Sequence, residues 1–232
     1  MYNVVNERVI LLTTLLFLIS AAIVALAQGF VSITYRKYLK VDSKRKITGA
    51  EVARSILKKA GINDVYVVET EGFLTDHYDP TRKVVRLSKN NYEGQSISSI
   101  SVAAHECGHA MQDKDNYVFM RIRHKLVPIT NFASKIGYVV LLIGFMAGIL
   151  NLVYLGIVLE LIVLLFQIVT LPVEIDASKR ALKKIKQDHY LDEEEYGQGR
   201  NVLIAAALTY VASVASNILE IFRLVLIAQN RD

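Results

Sequence analysis

His105-Glu106-Cys107-Gly108-His109 is an H-E-x-x-H string. On a helix its two histidines stand one turn apart on one face, a spacing that holds a single Zn2+. Glu106 then sits where a carboxylate takes a proton from zinc-activated water, whose pKa falls to about 7, and later hands it to a leaving amine. That chemistry is peptide-bond hydrolysis, with Glu106 as general base. The competing reading is a chance match on a helix whose two histidines have other partners. Two of the chain's five histidines falling in one such frame weigh against it.

A catalytic zinc site takes three protein ligands and keeps a fourth position open. Of the later histidines, neither His124 nor His189 has the H-x-x-G-x-x-H continuation of metzincins. A downstream carboxylate is the better candidate. Glu174 stands in Leu171-Pro172-Val173-Glu174-Ile175-Asp176-Ala177-Ser178, where Pro172 can open a helix carrying Glu174 and Ser178 on one face. Asp176 is a rival ligand, and a solvated juxtamembrane carboxylate is the bland alternative. Cys107 points away from His105 along a helix, which favours a small buried side chain over a thiolate ligand. His77, Tyr196, Arg200 and Tyr210 are candidate oxyanion donors. For His77 a structural role is favoured, and Tyr210, in an apolar block, reads as packed.

These residues must be positioned by elements that the rest of the chain supplies. It has 232 residues, of which 53% are hydrophobic, and its net charge is +5. That charge is too small and scattered to indicate nucleic acid, and a lone cysteine excludes an intramolecular disulfide. The apolar residues come in blocks. Residues 9–33 carry no charge, more than the roughly 20 that a membrane-crossing helix needs. A cleaved signal peptide is the competing reading, because Ala25, Leu26 and Ala27 make an A-x-A-like site. The block runs past that site into Arg36, Lys37, Lys40, Lys44, Arg45 and Lys46, a basic cluster that places the following segment in the cytoplasm.

Charge is frequent over residues 42–126. Thr48 with Glu51 is a capping box, Val52, Ile56 and Leu57 repeat with helical spacing, and Gly61 can end that helix. Residues 65–68, 73–78 and 83–87 read as a small antiparallel sheet. Ser96, Ser98 and Ser99 offer caps for a helix running through His105 and His109 to about Gln112. The next apolar block must fold into two crossings, about 128–149 and 152–173, turning near Gly148 and Asn151. Two crossings return Glu174 to the side of His105 and His109. Glu160, a charge deep in that hairpin, needs a partner or a wet cavity. Lys179, Arg180, Lys183, Lys184 and Lys186 mark another cytoplasmic face. A last block, about 203–226, is rich in small residues but carries Glu220 and Arg223; it crosses the membrane or is a core helix.

Several strings resemble the YugP-type neutral zinc metallopeptidases of bacterial membranes, distant relatives of the HtpX-like peptidases. They are Leu74-Thr75-Asp76-His77-Tyr78-Asp79-Pro80, the stretch 103–112 around the two histidines, the stretch 171–177, and Ala206-Ala207-Leu208-Thr209-Tyr210-Val211-Ala212. The resemblance covers nearly the whole chain. It implies a gluzincin-like core, one catalytic Zn2+, and Glu174 as third ligand in the place of the Glu of an E-Y-x-A-D pattern. Ser178 stands where that pattern has Asp, so the carboxylate partner of a zinc-bound histidine is missing or is supplied by Asp176.

The expectation is a mainly α membrane protein, a single domain over 1–232. It has about four transmembrane helices and a small cytoplasmic α+β core, about 42–126 and 174–200. His105, His109 and Glu174 hold the metal, Glu106 is catalytic, and the partners are protein or peptide substrates and membrane lipid, with no nucleic acid. The active site faces the cytoplasm of a multi-pass cell-membrane protein. The alternative is a non-catalytic membrane scaffold or chaperone that keeps zinc as a structural pin.

Overall fold

The structure is a computed structural model that describes residues 2–230, with side chains from Glu7 onward. It is mainly α. Helices α1 (Tyr2–Leu39) and α2 (Gly49–Lys59) precede three strands, β1 (Tyr66–Thr70), β2 (His77–Asp79) and β3 (Val84–Ser88). Helices α3 (Lys89–Tyr92), α4 (Ile97–Lys114), α5 (Val118–Ala147), α6 (Leu150–Gln187) and α7 (Glu193–Gln229) follow. Four helices, α1, α5, α6 and α7, are long and apolar enough to cross a membrane.

The chain divides into two compact units. One comprises Gly29–Arg121 and Pro172–Leu208. Its core joins Val52, Ala53 and Ile56 of α2, Val85 and Leu87 of β3, and Ile97, Ile100, Ala103, Ala104 and Cys107 of α4 to Val173, Ala181 and Ile185 of α6. Local chemistry sets where these helices begin. Thr48 caps α2 through the expected box: its side chain accepts from the Glu51 N–H while Glu51 accepts from the Thr48 N–H. Gly61, at φ +67°, ends the turn after it. Ser96 caps α4 by accepting from the Ser99 N–H.

The sheet corrects the antiparallel expectation. Its order is β1-β3-β2. β2 pairs antiparallel with β3 (Tyr78 opposite Val85), but β1 runs parallel to β3 (Tyr66 opposite Val84). Asp79 closes the β2–β3 hairpin by accepting from the N–H groups of Thr81 and Arg82. The intervening 71–76 stretch is a turn, with Gly72 and Leu74 both at positive φ, so β2 shrinks to three residues. β3, carrying the fully buried Val85 and Leu87, takes the centre and leaves β1 only its far edge.

The other unit is formed by the described parts of Met1–Gln28, Ile122–Leu171 and Thr209–Asp232. Val153 and Ile157 of α6 pack there with Leu224 and Ala228 of α7, flanked by Leu141 and Phe145 of α5. Gly148, at φ +68°, breaks the chain between α5 and α6, where the sequence places the turn. Pro172 departs from expectation. It lies inside α6 rather than opening a helix. A proline removes one N–H from the ladder, a loss tolerated within long apolar helices whose remaining bonds hold them together.

Candidate metal centre

The unit that contains the sheet also gathers the candidate ligands. His105 and His109, four residues apart on α4, present their rings 4.8 Å apart at an interplanar angle of 82°. Glu174 projects from α6 between them. Its Oε2 is 3.2 Å from His105 Nε2 and 3.5 Å from His109 Nε2. An ion bonded tetrahedrally at about 2.0–2.1 Å sets its donors about 3.3–3.4 Å apart, which matches both separations. Two imidazoles and a carboxylate are a donor set found in catalytic zinc sites. Among the described residues this is the group of three able to hold a metal. Glu174 is only 2% exposed, and a carboxylate so far from water needs a cation or dense hydrogen bonding.

Each imidazole is held from behind. His105 Nδ1 is 3.2 Å from Ser178 Oγ, and His109 Nδ1 is 3.0 Å from Gln112 Oε1. Both rings thus spend Nδ1 on the protein and turn Nε2 toward Glu174, the arrangement that orients metal-binding histidines. Ser178 serves His105 where the resemblance implies an Asp. Asp176 stays out of the three-donor group: it accepts from Gln112 Nε2 at 2.9 Å and from Arg180 Nε at 2.6 Å, and Arg180 also pairs with Asp115. The rival ligand is therefore a partner of partners. Gly108 lets the two helices meet, since a Cβ there would lie 2.5 Å from the Ala177 carbonyl oxygen.

Glu106 is buried beside the group, 7% exposed. Burial pushes its carboxyl up to about 7, against the pull of His105 and of a hydrogen bond from the Tyr78 N–H, while Glu174 and Asp76 add repulsion. Asp76 itself accepts from the Ser88 N–H at 2.7 Å and from Asn91 Nδ2 at 2.9 Å, tying the start of β2 to β3 and α3. Cys107 is fully buried, 3.5 Å from the Ala53 carbonyl oxygen. Burial drives its thiol well above the ordinary range, as the small-side-chain reading expects.

His77 is exposed on β2, its Nδ1 2.7 Å from the Thr75 carbonyl oxygen, and lies outside the three-donor group. Tyr196 packs beside Lys186, Arg200 is exposed, and Tyr210 belongs to the unit of apolar helices. Sequence reasoning missed Gln112 and Arg180. The available signal was helical spacing: Gln112 follows His109 by three residues and Arg180 follows Asp176 by four, distances at which side chains on one face meet.

The fold and site define a mainly α, membrane-like protein with a candidate His, His, Glu metal site. Residues 13–229 match the family described as "Putative neutral zinc metallopeptidase", and the chain belongs to that family. It is 47% identical over 204 residues to the Bacillus subtilis (strain 168) protein named "Putative membrane protease YugP", covering 88% of this chain and 91% of that one. No solved structure matches.

Proposed function

We propose that this chain is a zinc metallopeptidase that hydrolyses peptide bonds of proteins or peptides, with one Zn2+ held by His105, His109 and Glu174. The observation that carries the reading is the convergence of those three donors at 3.2 and 3.5 Å beside a buried carboxylate. Three ligands, rather than the four of a structural site, leave a position for water. When bound, zinc lowers the pKa of a water to about 7 and polarises the scissile carbonyl.

Glu106 performs the proton transfers. Its carboxylate takes the proton of the attacking water and delivers it to the nitrogen of the departing amine. Burial pushes this carboxyl up, which helps it hold the proton between the two transfers. Gln112 and Ser178 keep the imidazoles oriented. β2 is an edge strand of the sheet, and its Tyr78 N–H meets Glu106, so a peptide added along that edge would lie beside the carboxylate. Extended peptides bind sheet edges in this way, which supports a peptide as substrate. Arg36, Lys37 and Lys40 after the first apolar block, and Lys179 to Lys186 after the second, support a cytoplasmic active site in a multi-pass membrane protein.

The test uses the detergent-solubilised full chain and an unfolded protein substrate, with and without chelator, beside Glu106→Gln. Chelator-sensitive cleavage that falls by about 10²–10⁴-fold in the variant, with zinc still bound, is the expected result. Zinc bound by both proteins with cleavage by neither would replace the peptidase with a non-catalytic zinc scaffold.

A further inference from the structure

The two ligand-bearing helices are joined by one fully buried amide. Gln112, on α4, is 0% exposed. Its Oε1 faces His109 Nδ1 at 3.0 Å. Its Nε2 donates to the Val173 carbonyl oxygen at 2.7 Å and to Asp176 Oδ2 at 2.9 Å, both on α6. Val173 immediately precedes Glu174. A single side chain therefore touches one histidine directly and grips the backbone that carries the carboxylate ligand.

The amide has one workable orientation. Turned over, its oxygen would meet the Val173 carbonyl and the Asp176 carboxylate, both acceptors, while its N–H groups would meet His109. With Oε1 toward His109, the histidine must donate from Nδ1, which fixes Nε2 as the lone-pair nitrogen facing Glu174. Asp176 is meanwhile held by Arg180 Nε at 2.6 Å, so its charge is balanced within the chain. We propose that Gln112 is a positioning residue that sets the His109 tautomer and the α4–α6 spacing for metal binding, replacing the carboxylate that usually backs a zinc-bound histidine with a neutral amide tied to an Asp176–Arg180 pair. This rests on the zinc reading of the site.

The neutral choice has a consequence. A carboxylate is the stronger partner for an imidazole, yet Gln112→Glu would set a second acid against Asp176 and the Val173 carbonyl. It should weaken the site rather than strengthen it. Gln112→Ala and the nearly isosteric Gln112→Met both leave His109 Nδ1, Asp176 and the Val173 carbonyl each one partner short.

The experiment measures zinc affinity of the full-length, detergent-purified protein by competition with a chelator of known affinity, and the Co2+ absorption spectrum of the substituted site. Wild type, the three Gln112 variants, His109→Ala and Ile100→Ala are compared. Ile100, fully buried on α4, lowers stability without touching the ligands. The expected result is a Kd for zinc raised about 10–100-fold in Gln112→Ala and Gln112→Met, no recovery in Gln112→Glu, an altered Co2+ spectrum, and an unchanged Kd in Ile100→Ala. Excess zinc should restore most of the cleavage in Gln112→Met. A Gln112→Met protein that binds zinc as tightly as wild type, or an Ile100→Ala protein equally weakened, overturns the proposal while the zinc reading stands. Wild type binding no better than His109→Ala overturns the zinc reading, and the proposal with it.

Discussion

Helix α6 carries a carboxylate in each of the two units, and their surroundings differ in one decisive way. Glu174 meets two imidazole nitrogens whose other sides are already committed to Ser178 and Gln112. Lone pairs converge on one point, and the point asks for a cation from outside the chain. Glu160 instead lies within electrostatic reach of Glu220. Glu220 is clasped by Arg223, with Nε 2.8 Å from Oε2 and a second contact closing the fork. The Arg223 guanidinium in turn sits 5.4 Å from the centre of the Phe17 ring. There an internal cation serves the neighbouring Glu220, and Glu160 faces a like charge. A carboxylate's type and helix do not decide whether it binds a ligand; the sign and direction of the groups around it do.

The sharpest way to break this contrast is to neutralise each carboxylate in turn. Glu174→Gln should weaken zinc binding by at least about a hundredfold, more than loss of an outer partner costs, and abolish cleavage. Glu160→Gln should leave zinc affinity and cleavage within about twofold of wild type, because it keeps no lone pair aimed at a metal. Chelator competition and a cleavage assay on the two purified proteins decide it. A zinc defect in Glu160→Gln would mean that the two carboxylates serve one function.

The next largest effect belongs to the internal cation. Arg223→Met strands Glu220 and Glu160 together among apolar helices. Breaking a shielded ion pair by deleting one partner costs several kcal/mol when fully buried; with Arg223 and Glu220 at 23% and 32% side-chain exposure, about 2–3 kcal/mol is expected in detergent unfolding. Adding Glu220→Gln should return most of that loss, the signature of coupled partners. Zinc affinity should not move in either protein.

The same contrast explains what could be read in advance. His105 and His109 were legible because helix periodicity alone places them on one face. Glu174 needed a count of membrane crossings and a family resemblance, since nothing local separates it from Asp176. Gln112 escaped a ligand search because its role exists only where α4 meets α6, whereas Ser178 was marked by the resemblance as standing in the place of an Asp. The parallel pairing of β1 with β3 was hidden for a similar reason: strand propensity marks which residues extend, not which neighbour they take. Pro172 was misread because its local preference for a helix start is overridden inside a long apolar helix.

Two glycines carry the comparison into backbone packing, with the smallest expected effects. A Cβ on Gly108 would sit 2.5 Å from the Ala177 carbonyl oxygen, and one on Gly156 would sit 2.4 Å from Leu141 Cγ. The overlaps are alike in size but not in kind. Ala177 O is α6 backbone, so Gly108→Ala must push α4 and α6 apart, at an overpacking cost of about 1–3 kcal/mol. That displacement separates the two histidines from Glu174, and zinc affinity should fall severalfold. Leu141 must swing about χ1 to clear the new Cβ, but Gly156→Ala also gains up to about 1 kcal/mol of helix propensity, so its net stability loss should be smaller than that of Gly108→Ala, with zinc affinity untouched. Thermal unfolding and chelator competition on both variants give the answer. If Gly108→Ala bound zinc as wild type does, the ligand geometry would tolerate a wider helix spacing, and the close α4–α6 approach would serve stability alone.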